Sequence, residues 1–353
     1  MKDESIQLLK ELSQLPGIAG DEGRVHHYIK EILEEYSDEV VISGLGSVFG
    51  VKYAKDKKAP RVMIAGHMDE IGFMIKEIRD NGTFYAVPIG GWNPYSVSSQ
   101  RYTLVSQKGD FPCVSSSIPP HLMSEQGTFK VENLIFDAGF ESKDEAWAYG
   151  VRPGDSIVPD SSFIKAANKK ALISKAFDNR VGCALALDTL KQVADEALDV
   201  TLIAGASTQE EVGTRGIIGS INQLKPDLFI ALECSPVNDF INEEGQGQQG
   251  GGFLLRVHDP GMISHKKLRQ FIFQLAEEKE VPHQYFFATG GTDARQAQLL
   301  QEGIPSTCLA VPGRYIHSHQ SLIRTRDYQS VLDILVHIVK ELNKERVEEI
   351  KTM

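Results

Sequence analysis

The sequence predicts an α/β domain with a β-rich domain inserted into it, and three observations carry that prediction. Four short apolar runs, RVMIAG (61–66), VTLIAGAS (200–207), DLFIALE (227–233) and STCLAVP (306–312), have the unbroken hydrophobicity of strands buried on both faces. Helical patterns lie between and after them, RVGCALALDTLKQVADE, HKKLRQFIFQLAEEK and DYQSVLDILVHIVKEL, and strand-helix alternation of this kind builds α/β sheets. The stretch from about Met68 to Lys165 differs. It lacks a helical pattern of comparable length and runs through GFMIKEI, GTFYAVPI, RYTLVSQ and VRPGDSIVP, with Gly, Pro and Ser clusters between them.

In chain order, residues 5–36 read as an amphipathic helix interrupted near Pro16-Gly17, with Ile6, Leu9 and Leu12 on one face and Ile29, Ile32 and Leu33 on another. The first buried strand follows. The insert is expected over 68–165, which leaves 1–67 and 166–353 as one discontinuous main domain. The glycine- and glutamine-rich EEGQGQQGGG at 243–252 reads as a flexible loop. With 353 residues, 41% of them hydrophobic, the chain is long enough to bury a full core.

Charge and composition exclude several classes of partner. A net charge of -11, with no basic run interleaved with aromatics, argues against nucleic acid. The first residues, MKDESIQLLKELSQLPG, lack the apolar core of a signal peptide, and no apolar stretch reaches the ~20 residues of a membrane helix. A cytoplasmic chain without membrane contact is expected. The cysteines, Cys113, Cys183, Cys234 and Cys308, form no CxxC pair, so they read as small core residues rather than a disulfide framework or a thiolate zinc site.

Polar residues that can hold a metal fall at the end of each apolar run. RVMIAG leads to His67 and Asp69, VTLIAGAS to Glu210 and Glu211, DLFIALE ends in Glu233, and STCLAVP leads through GRYIHSH to His317 and His319. The carboxyl ends of strands line the ligand crevice of an open α/β sheet, so these side chains are placed to converge. Asp178, just before a helical pattern, is either a first-turn carboxylate satisfying free N–H groups or a further ligand. A carboxylate directly after LFIAL, such as Glu233, demands a cation if buried. Two histidines, three carboxylates and one further glutamate match two divalent ions that share a carboxylate and activate one water. Without thiolates the set suits Zn²⁺, Co²⁺ or Mn²⁺.

AGHMDEIGFMI, KAFDNRVGCALAL, STQEEVGTRG, ALECSPVND, GGTDA and RYIHSH, in this order between residues 65 and 319, resemble the signature of the M42 metallo-aminopeptidases, in particular their glutamyl aminopeptidase branch. The resemblance implies a zinc-exopeptidase-like α/β domain with a mixed central sheet flanked by helices, and a β-barrel-like insert serving dimerisation and substrate access. It implies two divalent ions per subunit, Zn²⁺ or Co²⁺ first and Mn²⁺ as an option. In those roles His67 would bind one ion, Glu211 one ion and Glu233 the other, His317 would complete the second ion's shell, and Asp178 would bridge both; Asp69 would orient His67, and Glu210 would be the general base. The family more often carries aspartate where this chain has Glu233, so the longer side chain alters the grip on one ion. His317 matches the family's IHS element, which leaves His319 as a residue behind the ligands or on the substrate side. The resemblance also implies a cis peptide between Asp178 and Asn179 and assembly of dimers into a hollow tetrahedral dodecamer.

An aminopeptidase acting on short peptides with Glu or Asp at the amino terminus follows from the branch. Arg256 is the candidate to pair with that acidic side chain, since a guanidinium grips a carboxylate with two parallel hydrogen bonds; the alternative is an exposed strand arginine in a surface ion pair. Gly290, Gly291 and Asp293 of GGTDA are expected to wall the pocket, the glycines allowing close approach, with a purely structural role as the alternative for Asp293. Three other readings stand beside this one: the same chemistry with Leu, Lys or broad specificity, glycoside hydrolysis by paired carboxylates, which needs no histidines, and a peptide-binding scaffold descended from such an enzyme.

Overall fold

The computed structural model describes residues 1–119, 121, 130–242 and 246–352. Helices α1 (Asp3–Gln14) and α2 (Gly23–Tyr36) form the expected interrupted segment and lead to strands β1 (Glu39–Ile42), β2 (Val48–Lys52) and β3 (Arg61–His67). The insert contributes β4 (Gly72–Ile78), β5 (Phe84–Ile89), β6 (Arg101–Ser106), β7 (Gly109–Ser115), β8 (Ile135–Asp137), the short helix α3 (Lys143–Ala148) and β9 (Ser156–Pro159). The chain then returns through β10 (Ile164–Lys165), β11 (Ala171–Ser174), α4 (Phe177–Gln192), β12 (Thr201–Ser207), α5 (Gly216–Leu224) and β13 (Leu228–Pro236). It ends with β14 (Phe253–Asp259), β15 (Met262–Ile263), α6 (Lys266–Glu278), β16 (His283–Phe287), α7 (Ala294–Ala297), β17 (Ser306–Arg314), β18 (Ser321–Arg324), α8 (Thr325–Glu341) and α9 (Lys344–Lys351).

The four apolar runs become β3, β12, β13 and β17, which lie side by side and parallel in the order β12-β3-β13-β17. Antiparallel partners on both sides make the sheet mixed, and among the described residues it has 12 strands. The two-residue period of a strand explains why the runs are apolar throughout. Val62, Ile64, Leu202, Ala204, Leu228, Ile230, Leu309 and Val311 enter the large core under α1, α2, α4, α6 and α8. Met63, Ala65, Ile203, Phe229, Ala231, Cys308 and Ala310 enter the opposite core with Ile217 and Ile221 of α5 and Ala294 and Ala297 of α7.

Strands β4 to β9 close into a barrel in the order β4-β5-β8-β7-β6-β9 around Phe73, Phe84, Tyr102, Leu104, Phe136 and Ile157. These strands occupy 72–159, within the segment expected to be inserted, whereas Ile164–Lys165 already pairs with β11 in the large sheet. All four cysteines are buried and unpaired, as small core residues should be. No described helix is long and apolar enough to cross a membrane. Of the expected loop at 243–252, residues 243–245 lie outside the described residues. Its remainder is anchored, because the buried Asp327 carboxylate accepts from the backbone N–H of Gly250 at 2.6 Å and of Gly252 at 3.0 Å.

Helix α4 is buried around its circumference and crosses the sheet at a distance only glycine permits. A Cβ on Gly66 would lie 2.4 Å from the carbonyl carbon of Gly182, and one on Gly182 would lie 2.3 Å from the Leu232 carbonyl oxygen. Removing both side chains lets the start of α4 reach the ends of β3 and β13.

One buried cation fastens this corner. Arg180, fully buried in α4, donates from Nε to Met68 O at 2.7 Å, and from Nη1 to Leu15 O at 2.8 Å and Leu12 O. Its Nη2 lies 3.5 Å from Glu70 Oε1, which Lys175 Nζ also reaches at 2.6 Å. A buried guanidinium is tolerable only with its donors satisfied. Arg180→Leu leaves Lys175 as the one charged partner of Glu70 among the described residues and removes the donors to carbonyls of the α1 tail, so it is expected to lower unfolding free energy by about 3–5 kcal/mol. Urea denaturation checks this, and a loss below about 1 kcal/mol would remove Arg180 from the structural role.

Candidate metal centre

The same strand period that sorts the core places two of the expected ligands. Ala65 of β3 stands opposite Ala231 of β13 in parallel register. His67 and Glu233 follow each of them by two residues, so both side chains emerge on the same face at neighbouring carboxyl ends. His67 Nε2 lies 3.9 Å from Glu233 Oε2. The His67 Nδ1 is 3.1 Å from the carbonyl oxygen of Asp69, which can only accept, so Nδ1 carries the proton and Nε2 faces the carboxylates.

Asp178 stands at the start of α4 with its side chain in the cleft. The Asp178–Asn179 peptide is cis, as the resemblance implies, and both residues leave helical geometry at the start of α4. The carboxylate points into the cleft between the histidines: Oδ1 lies 3.3 Å from His67 Nε2 and Oδ2 lies 3.3 Å from His317 Nε2.

The adjacent glutamates follow β12 in a turn entered through Gln209, whose φ is 55°. Their backbone N–H groups donate to the two oxygens of Asp69, Glu210 to Oδ1 at 3.0 Å and Glu211 to Oδ2 at 3.0 Å. Asp69 Oδ1 also lies 3.4 Å from His67 Nδ1. One fully buried carboxylate therefore fixes both the imidazole and the backbone that carries the pair. Glu210 Oε2 comes within 3.8 Å of His67 Nε2, and Glu211 Oε1 within 3.5 Å of His317 Nε2. His317, at a φ of 55°, donates from Nδ1 to the Gly91 carbonyl of the barrel at 2.6 Å.

Two groups of donors result, His67 with Asp178 and Glu233, and Asp178 with Glu211 and His317, each with its ligand atoms within 4.8 Å of one another. Asp178 belongs to both. Nitrogen and carboxylate donors in two triads that share one carboxylate fit a pair of divalent ions. Electrostatics agrees with that fit. Burial, reinforced by neighbouring carboxylates, pushes Glu211 up to about 7, Glu233 up to about 8 and Glu210 well above the usual carboxylate range. Burial opposes charge on the histidines, but Asp178, Glu211 and the Gly91 carbonyl together outweigh it at His317 and raise it to about 9. The protonated acids and charged imidazoles offset like-charge repulsion that divalent cations would offset directly.

The triads open onto a cavity of about 500 Å³ that Arg256, Gly290 and Gly291 also line. Arg256 is not an exposed strand arginine; it is 3% exposed, donating from Nη1 to Asp259 Oδ2 at 3.1 Å and Gly290 O at 3.3 Å, and from Nη2 to Ser235 Oγ at 2.7 Å. Asp293 stands behind the wall, its Oδ2 accepting from the Ser207 hydroxyl. His319 belongs to neither triad: its ring sits edge-on to Tyr102 of the barrel with centroids 5.0 Å apart, and Nε2 is 3.3 Å from Asp160 O. Sequence reasoning missed Gly91 and Arg295, which also lines the cavity. The paired glycines at 90–91 were the signal for the first, since a Cβ on Gly90 would lie 2.9 Å from Glu211 Oε2.

Metal binding to this donor set must release protons, because Glu211 and Glu233 are neutral below about 7 and about 8 and His317 is charged below about 9. Affinity of the metal-stripped protein for Zn²⁺ is therefore expected to rise with pH through that window and weaken as pH falls. Calorimetric titration in buffers of differing ionisation enthalpy measures both affinity and proton release. Binding that is flat over the window, or free of proton release, would overturn the ligand set.

Comparison with known proteins places the chain. The family model for M42 glutamyl aminopeptidase matches residues 46–334. The glutamyl aminopeptidase of Lactococcus lactis subsp. cremoris (strain MG1363) is 42% identical over 353 residues, covering 99% of either chain. The TET aminopeptidase of the marine sediment archaeon Thaumarchaeota archaeon SCGC AB-539-E09 superposes with a TM-score of 0.95 at 32% identity, again over 99% of each chain. The TET1 peptidase of Pyrococcus horikoshii, which can assemble into a tetrahedron or a large octahedral shell, superposes with a TM-score of 0.87 at 26% identity over 96% of this chain and 100% of its own. The chain belongs to the M42 glutamyl aminopeptidase family and is an aminopeptidase, a hydrolase acting at peptide amino termini.

Proposed function

We propose that this aminopeptidase works with two divalent ions, Zn²⁺ or Co²⁺ in preference to Mn²⁺, and removes Glu and Asp from the amino termini of short peptides. The observation that carries the reading is the meeting of the two donor triads at Asp178, beside Glu210, in one cavity. His67, Asp178 and Glu233 would hold one ion, and Asp178, Glu211 and His317 the other. When bound, such ions supply Lewis acidity to the scissile carbonyl and to the attacking water.

The residues of the chain do the rest. Asp69 holds the Glu210 backbone, so the Glu210 carboxylate is presented to the cavity without itself needing to bind an ion. Its basicity, raised chiefly by burial, suits it to take the proton of the attacking water and return it to the leaving amine nitrogen. The free ammonium end of the peptide would meet the carboxylate-rich floor, which favours cleavage at a terminus over cleavage within a chain. Arg256 adds positive charge to the cavity wall and holds Gly290 in place, in support of an acidic first residue, while Asp293 braces the same segment from behind.

Assays of metal-stripped protein resupplied separately with Zn²⁺, Co²⁺ or Mn²⁺, on Glu-, Asp-, Leu- and Lys-p-nitroanilide, test the reading. Turnover is expected only with metal and foremost on Glu and Asp. Glu210→Gln should lower kcat about 10²–10⁴-fold, the usual contribution of a general base, with metal content unchanged. Preference for Leu or Lys would overturn the acidic specificity alone; metal-independent turnover would overturn the two-ion reading; no turnover with any metal would favour a binding scaffold.

We also propose that the chain self-associates into dimers and these into a tetrahedral dodecamer, by likeness to the P. horikoshii peptidase. Light scattering coupled to size exclusion is expected to give twelve times the chain mass. A dimer or monomer at micromolar concentration would overturn it.

A further inference from the structure

The turn after β12 hangs on side chains from three distant segments. Its successive backbone N–H groups all donate to buried oxygens: Thr208 to Ser47 Oγ at 3.1 Å, Gln209 to Glu22 Oε1 at 3.0 Å, and Glu210 and Glu211 to the two oxygens of Asp69, each at 3.0 Å. Ser47 and Asp69 lie on the rim of the sheet beside β12, whereas Glu22 comes from the start of α2.

Glu22 is buried and has no cationic partner among the described residues. It opens α2 after the Pro16-Gly17 break, yet its carboxylate makes no capping hydrogen bond to that helix. The break delivers it to the turn. Gly17 O accepts from Glu70 N at 2.9 Å and Ile18 bridges Glu70 in parallel, so the segment leading to Glu22 runs beside the residue that follows Asp69. Backbone N–H groups of Gly20, Glu22 itself and Gln209 face the carboxylate, and the one from outside its own segment is that of Gln209. Burying a carboxylate is costly unless its oxygens are used.

Gln209 has a φ of 55°, in the left-handed region that a residue with a Cβ holds only where its surroundings impose it. Glu22 holds the peptide plane entering Gln209 and Asp69 the plane leaving it, so the two carboxylates together fix its dihedrals. Rotation there would swing the next residue, Glu210. The Glu210 carboxylate accepts no hydrogen bond among the described residues, so its aim depends on its backbone.

We infer that Glu22 is a positioning residue for the reaction: through the Gln209 N–H it holds the left-handed turn that aims the Glu210 carboxylate into the cavity. The inference rests on the reading of Glu210 as the general base.

Two exchanges separate the placement of the acceptor from its charge. Burial, reinforced by Asp69, pushes Glu22 up to about 7, so a neutral side chain is tolerable there, and Glu22→Gln keeps a carbonyl oxygen at the same reach. Glu22→Asp keeps the carboxylate but withdraws it by one methylene. In the metal-loaded, full-length protein, on its best p-nitroanilide substrate, Glu22→Asp is expected to lower kcat about 10- to 100-fold, the effect of misplacing a catalytic group by about an ångström, with KM and metal content unchanged. Glu22→Gln should keep kcat within a few-fold of wild type. Added to Glu210→Gln, Glu22→Asp should cost almost nothing more, because a residue acting through Glu210 has nothing left to aim.

Equal losses in Glu22→Gln and Glu22→Asp, full multiplication of losses in the double variant, loss of bound metal, or unfolding of Glu22→Asp would each assign Glu22 to the fold and overturn the positioning role. An active Glu22→Asp beside an inactive Glu210→Gln would overturn it and leave the base standing. Full activity in Glu210→Gln would overturn the base, and this inference with it.

Discussion

Asp69, Asp178, Glu210, Glu211, Glu233 and Asp293 are gathered at one end of the sheet, and burial of so many like charges is the constraint to which the surrounding structure answers. Each aspartate there has a compensating group. Asp69 accepts two backbone N–H groups and faces an imidazole. Asp178 lies between His67 and His317, and these partners hold its pKa well below the usual range despite burial. Asp293 accepts from Ser207. The glutamates have no such donors to their side chains among the described residues, and burial drives their pKa values upward. They are the groups that divalent cations would relieve, which ties the folding problem of this corner to its chemistry.

Close packing makes that corner possible. With Gly66 facing Gly182, α4 approaches the sheet near enough to bring Asp178 between the ends of β3 and β13. Arg180, two residues further along, then binds the helix to the carbonyls of Met68 and of the α1 tail. Asp178, the carboxylate common to both donor groups, and the cation that fastens its helix are thus set by one element. The barrel enters the same arrangement from outside, through the Gly91 carbonyl that fixes the His317 tautomer. The placement of His317 thus depends on the loop after β5 of the barrel as well as on the sheet.

Legibility in the sequence varied with the kind of contact. His67 and Glu233 were readable because a strand's two-residue period carries from Ala65 and Ala231 to the rim. The Glu210-Glu211 pair was readable because two charges directly after an apolar strand are costly unless used. His319, two positions from His317, could not be separated from it by residue type; a stack on Tyr102, more than two hundred positions away, decides it. The engagement of Arg256 depends on Ser235, Asp259 and Gly290, three residues on different elements, and no local pattern announces that meeting.

By itself the sequence determined the α/β class, a β-rich stretch within it and the inventory of donors, because strand period, helix period and the cost of burying charge all act over a few residues. Only the tertiary structure decided which donors lie beside Asp178, which backbone groups Asp69 holds, and which groups Arg256 engages. Those outcomes depend on the register between β3 and β13, on the approach of α4, and on the barrel loop that reaches His317. Each is a distance between segments far apart in the chain, and such distances are set by packing rather than by neighbours in sequence.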